Sequence, residues 1–284
     1  MPSDFSTHLR PRGAWSLGLL AAALLLTGCE SRADNNMKAA DAAYREKLAK
    51  AQAVFAERCK TAGVVIHRTV EDVEGIELKK IRPKLEFGDK RYFDPMFDGA
   101  AMAGEASGDD YIRQMLFSEF RSQSEPTRRG SLNPPWFRAG PNATPVIDGY
   151  RFVEHVDLET GKRFRYSLPK QVEPNVGWGV ALTQMSTGEP QTKFALDFED
   201  LVDPADRALW IAGTRIKVLD TRTGETLAVL TRYVFDAGLG ISTTGRWPWQ
   251  HADTNNQRCP SEPHTKGYVT RFFVDTVLKP KQMN

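Results

Sequence analysis

Thr214-Arg-Ile-Lys-Val-Leu-Asp220-Thr-Arg-Thr-Gly224-Glu-Thr226-Leu-Ala-Val-Leu-Thr-Arg-Tyr-Val-Phe235 is the stretch whose reading decides the fold. Two runs rich in β-branched and aromatic residues flank a turn, the pattern of a hairpin. Asp220 suits the head of that turn, where a short carboxylate accepts backbone N–H groups, and Gly224 suits a left-handed position. The same chemistry recurs at Asp157-Leu-Glu-Thr-Gly161-Lys162, between Gly149–Val156 and Arg163–Leu168. In that second return strand Phe164, Tyr166 and Leu168 alternate with Arg163, Arg165 and Ser167, as a half-buried strand requires. The flanking strands do not match each other, so the echo is shared turn chemistry rather than an internal repeat.

Working outward, Phe194, Leu196 and Phe198 alternate as a further strand, and Asp203-Pro204 reads as the cap and first residue of a short helical turn. Val64–Val70 and Ile76–Arg82 read as strands that pair as a hairpin around the Gly75 turn. Met37–Lys60 reads as a helix, with Tyr44, Leu48, Ala51, Phe55 and Cys59 on one face. Prolines and glycines break the pattern over about 84–148, an irregular insertion expected to be surface loop except for a short helix over Asp109–Phe120. After Phe235 a long loop is expected through Gly238, Gly240, Gly245 and Trp247-Pro248-Trp249 to Cys259 and Pro260. Val269, Phe272, Phe273, Thr276 and Val277 suit a closing amphipathic helix, although Tyr268–Val274 fits a strand as well. The expected class is α+β: an antiparallel sheet built from hairpins, with an N-terminal helix and a C-terminal helix.

The leader is the other informative stretch. Arg10 and Arg12 precede an apolar run from Trp15 to Leu26, which closes on Leu26-Thr-Gly-Cys29. A basic start, a short apolar core and a small-residue cleavage point make an export signal. The run falls short of the ~20 residues that span a bilayer. Leu26-Thr-Gly-Cys29 resembles the lipobox of bacterial lipoproteins, which implies that Cys29 is acylated and becomes the first mature residue. The expected organisation is a signal peptide over 1–28, a lipidated tether over 29–36 and a single periplasmic domain over 37–284. Glu30 follows the lipid site in place of the aspartate associated with inner-membrane retention in some bacteria, so the outer membrane is preferred. Two cysteines remain, Cys59 and Cys259. An exported chain with one such pair suggests a disulfide, worth roughly 5 kcal/mol by the chain-entropy model for so long a loop.

Lys and Arg number 38 against 36 Asp and Glu, so no strong field argues for nucleic acid or an anionic surface. No nucleophile stands in a Gly-x-Ser-x-Gly frame, and His67, His155, His251 and His264 form no His-Glu-x-x-His or His-x-His pair. Gly238, Gly240 and Gly245 superficially match a dinucleotide loop, but Trp247-Pro248-Trp249 opposes the helix that such a loop must open. His251 and Asp253 are close enough in sequence for an acid–base pair, the one enzymatic reading open. Glu199, Asp200, Asp203 and Asp206 read as a solvated rim with a helix cap, since calcium-loop spacing is missing. No catalytic residues, metal or cofactor are expected. The aromatic loops carry a different signal: Trp136, Trp247 and Trp249 sit beside prolines and are the candidates for partner contact, with packing the bland alternative. Trp178 and Trp210 read as packing.

Ala56-Glu-Arg-Cys59-Lys-Thr-Ala-Gly63, Val70-Glu-Asp-Val-Glu-Gly75 and Lys80-Ile-Arg-Pro83 resemble a group of poorly characterised lipoproteins of Gram-negative bacteria. Trp210-Ile-Ala-Gly213, Ile216-Lys-Val-Leu-Asp220, Gly245-Arg-Trp-Pro-Trp249 and Cys259-Pro260 extend the resemblance over most of the mature chain, weakest from Lys84 to Asp148. Some members look like immunity proteins against type VI secretion phospholipase effectors. The resemblance implies a periplasmic protein that occludes a lipase delivered there; a structural or assembly lipoprotein of the envelope is the alternative.

Overall fold

The computed structural model describes residues 16–122, 124, 130–135, 143–170, 179–254, 257–261 and 267–282. The chain divides into two compact units, 1–49 and 50–284. Helix α1 (Ser16–Cys59) begins well before Met37 and includes 29–36. Among the described residues no helix is long and apolar enough to cross a membrane.

The second unit is built on one large mixed sheet with helices at both ends of its chain, the expected α+β class. Its strands in chain order are β1 (Gly63–Ile66), β2 (Val70–Val73), β3 (Gly75–Leu78), β4 (Ser118–Ser122), β5 (Ser131–Asn133), β6 (Ala143–Ile147) and β7 (Phe152–Val156). There follow β8 (Arg163–Ser167), β9 (Thr183–Thr187), β10 (Phe194–Leu201), β11 (Ile211–Asp220), β12 (Thr226–Phe235), β13 (Arg258–Cys259) and β14 (Leu278–Pro280). The large sheet runs β1-β12-β11-β10-β3-β7-β8-β9, with β13 also on β12; β2 pairs β14, and β5-β4-β6 form a small sheet.

Both Asp-x-x-Thr-Gly segments close hairpins, β7–β8 and β11–β12. In each, the Gly N–H donates to the Asp carbonyl at 2.8 Å. Gly161 and Gly224 sit at φ 67° and 74°, a region that glycine enters without steric cost. Asp157 accepts from Thr160 N at 2.7 Å, and Asp220 from Arg222 N at 3.0 Å.

The first strands differ from the expected hairpin. β1 lies antiparallel on β12, β2 leaves for β14, and β3 is inserted parallel between β10 and β7. Parallel neighbours need a long crossover. The segment between β3 and β7 supplies it, so the expected insertion is a structural connection rather than surface loop. It holds two 3-10 helices, Lys90–Phe93 and Asp98–Met102, and helix α2 (Asp109–Leu116). Ala100, Ala101, Met102 and Ala103 are buried, the three small alanines letting this segment pack tightly around Met102.

Helix α2 and the closing helix α5 (Val269–Val277) cover one sheet face. Ile112, Met115 and Leu116 of α2 and Phe273, Val274 and Val277 of α5 meet Ile76, Leu78, Val153, Leu196, Ile216, Val218 and Leu230. Fully burying one such aliphatic side chain contributes roughly 1.5–3 kcal/mol. Charges tie the two helices together: Arg271 of α5 is fully buried, pairs with Asp275 at 2.9 Å, and donates to the α2 carbonyls of Gln114 and Met115. A cation there satisfies acceptors that the helix end leaves open. Helix α3 (Pro204–Ala208) follows its expected cap, Asp203 accepting from Ala205 N at 2.8 Å.

Candidate functional site

The chain leaving β3 builds a cleft with a cavity volume of about 490 Å³. Lys79 N–H continues onto β10 through Leu196 O at 2.9 Å, which lays Lys80, Ile81 and Arg82 along that strand. Arg82 is buried, pairs with Asp200 at 3.1 Å, and stacks its guanidinium 4.0 Å from the Phe198 ring centroid. Lys80 donates to Phe198 O at 2.8 Å and pairs with Asp197 at 3.4 Å. The two 3-10 helices and the link between them supply Arg91, Phe97, Asp98 and Met102 to the lining. A Cβ at Gly99 would lie 2.9 Å from the Phe97 ring, so a larger residue there would push that ring aside. Arg91 grips Asp89 at 2.7 Å, and this hydrogen bonding holds the Asp89 carboxyl down at about 2. His155 of β7 holds Nδ1 2.8 Å from Leu78 O, a partner that can only accept, so Nδ1 donates.

Each of the three cleft cations already has a carboxylate, so the cleft offers apolar surface framed by neutralised pairs. Leu158 at its margin is 79% exposed, and Phe87, two residues beyond the lining residue Leu85, is 91% exposed. Such a surface gains by covering apolar area rather than by capturing an anion. Among the described residues no group of three or more His, Cys, Asp or Glu is placed to hold a metal. Sequence reasoning missed the cleft. Its one local signal was the basic run Lys79-Lys80-Ile-Arg82 continuing a strand.

Behind the cleft lies a buried charge network. Glu105 accepts Val269 N–H at 3.0 Å and Thr270 N–H at 3.3 Å, capping α5 from outside its own chain segment. Burial pushes its carboxyl up to about 7; Asp253 adds to the rise, and Arg82 and Arg232 oppose it. Asp253 is buried, pairs with Arg232, and accepts Gly104 N–H at 2.5 Å. His251, two residues back on helix α4 (Pro248–Thr254), is exposed. Positions two apart on a helix do not face each other, so the structure does not bring His251 and Asp253 together as an acid–base pair. Asp253 acts as a packing anion.

The tryptophan loop turns into a helix in the same region. Pro248 does not break a helix; it stands at the start of α4, where the missing N–H is harmless. Trp249 is fully buried, 4.9 Å from Trp210, with Nε1 donating to Asp94 O at 2.7 Å and Arg207 5.3 Å from its ring. With no surface exposed, Trp249 is a core residue rather than a partner contact. Trp247 is half-buried, stacked 5.8 Å from Tyr92 with the exposed Phe87 edge-on at 4.2 Å, and stays on the surface. Trp136 and Trp178 lie outside the described residues. Gly238 and Gly240 of the supposed dinucleotide loop have packing causes. Buried Asp236 accepts from Gly238 and Gly240 N–H at 3.2 and 2.8 Å, and a Cβ at Gly240 would fall 2.0 Å from Trp210.

Cys59 and Cys259 are joined, S–S 2.08 Å. Cys259 lies in β13 rather than in a loop, so the bridge fastens the end of α1 to the large sheet. Arg58 beside it grips Asp206 at 2.8 and 2.9 Å, and Phe55 packs 5.5 Å from Phe235.

Comparison of the chain with protein-family models, with curated proteins and with solved structures yields no match.

Proposed function

We propose that this protein is a lipid-anchored binding protein facing the periplasm, an immunity protein that occludes a secreted lipase effector. The observation that carries the reading is Leu26-Thr-Gly-Cys29 closing an export signal, together with the resemblance over most of the mature chain. A disulfide-tied domain is consistent with an oxidising compartment. The apolar cleft with paired cations, and the exposed Phe87, Leu158 and half-buried Trp247 near it, support contact with a protein surface. Acylation at Cys29 places such a binder at the membrane that a lipase attacks, since each buried methylene adds about 0.8 kcal/mol to anchoring.

The test is co-purification with any lipase encoded beside the gene and a lipase assay. The reading expects a stable complex and loss of lipase activity. No complex with any encoded neighbour, combined with a barrier defect on deletion in the absence of any toxin, would establish the assembly-lipoprotein alternative instead.

A further inference from the structure

We propose that the outer edge of β1 is a docking site for an extended strand of the protein partner, which joins the large sheet as an additional strand. The inference rests on the binding-protein reading above and names the contact that reading leaves open. His67 N–H donates to Leu227 O at 2.8 Å, in the register that pairs Val65 with Val229 and Gly63 with Thr231. Hydrogen-bonded pairs alternate along an antiparallel ladder. The N–H and C=O groups of Val65 and Gly63 therefore face β12, and those of Val64 and Ile66 face outward. No strand among the described residues takes them up.

The side chains agree with the backbone. Val64, Val65 and Ile66 are 42%, 55% and 44% exposed, an aliphatic edge with no Lys or Pro to blunt it. The opposite edge of the same sheet, β9, reads Thr183-Gln-Met-Ser-Thr187 and is polar. Val64 and Ile66 also line an apolar groove of about 270 Å³ floored by Leu230, Pro260, Phe272 and Phe273. An added strand places the residues opposite Val64 and Ile66 on that same face, over the groove. Open main-chain groups with a pocket for alternate side chains are the two halves of strand-addition recognition. The occupant is thus an extended, proline-free segment with apolar residues at every second position. A second copy of this chain is a poor occupant, because two four-residue strands meeting edge to edge bury far less than the roughly 1,200 Å² of a stable interface.

The bridge fixes this edge. β13 occupies the same side of β12 as β1, with Cys259 opposite Tyr233 and Gly63 opposite Thr231, so the disulfide clamps the start of β1.

The experiment is amide hydrogen exchange on the disulfide-intact protein, alone and with the lipase effector, beside a Val64→Pro variant. Proline there removes an outward donor and leaves the β12 pairing intact. The proposal expects at least tenfold slower exchange at Val64 and Ile66 in the complex, and at least tenfold weaker binding by Val64→Pro at unchanged melting temperature. A complex in which both amides exchange at the rate of the isolated protein overturns the edge site and leaves the immunity reading standing. Protection of the same amides by self-association, without effector, overturns it in favour of a second copy. Absence of any complex overturns both readings together. If Val64→Pro melts early, the exchange measurement on the unmodified protein decides alone.

Discussion

Two tryptophans two residues apart carry opposite meanings, and the difference is burial. Trp249 fills the core between Trp210 and Arg207, so Trp249→Ala is expected to cost about 3–5 kcal/mol in urea unfolding. Trp247 loses mainly its stacking on Tyr92 and Phe87, and Trp247→Ala is expected to cost about 1 kcal/mol. Equal losses would mean that the core assignment of Trp249 is wrong. Sequence could not separate them, because Pro248 reads as a helix breaker until it is seen at a helix start. Glu105 gives a second test at this scale. Its folded-state pKa of about 7 lies above the usual 4.5 of the unfolded chain, so the folded state binds more protons between those values. Stability contributed by this carboxyl is therefore highest below about pH 4.5, falls as pH rises to about 7, and is level above. Glu105→Gln keeps an acceptor for Val269 and Thr270 N–H without the charge. Unfolding free energy of wild type minus variant should decline across that window by up to roughly a few kcal/mol. A difference that is flat with pH would show that burial does not raise the Glu105 carboxyl.

Elements were legible where their chemistry is local. Both hairpins could be read because an Asp, a Thr and a Gly at fixed spacing shape the turn on their own. The closing helix could be read from the spacing of Phe272, Phe273 and Val277. The placement of β3 was illegible, since its parallel partners are set by a crossover of some seventy residues and leave no mark in its own four. The charges that knit the crossover down were illegible for the same reason: Arg271 looks like the polar side of an amphipathic helix until the ends of α2 are seen against it. Breaking that buried pair exposes the dependence, and Arg271→Met is expected to cost about 3–5 kcal/mol through the uncompensated Asp275 charge. Thermal melts would check it; a loss under about 1 kcal/mol would contradict the arrangement. The bridge, by contrast, followed from cysteine number and the expected export. Replacing Cys59 and Cys259 by Ser should lower stability by about 2–5 kcal/mol and speed amide exchange first in β1 and β13. Uniform acceleration across the sheet would argue against a local clamp.

For the molecule as a whole, the proposed location and the candidate contact surfaces rest on different kinds of signal. The leader and Cys29 speak for export and anchoring, whereas the cleft and the β1 edge are assembled from residues distant in sequence. If Cys29 carries the proposed lipid, the wild type incorporates labelled palmitate and Cys29→Ala does not; an unlabelled wild type would contradict an acyl anchor. The central claim, that this domain protects by binding a lipase, is tested most directly by titrating the disulfide-intact mature protein into any lipase effector encoded beside its gene and following phospholipid hydrolysis. Inhibition that saturates at one protein per lipase, with the two co-eluting on a sizing column, is the predicted result. Full hydrolysis at a large excess of the protein, with the two eluting apart, would contradict it.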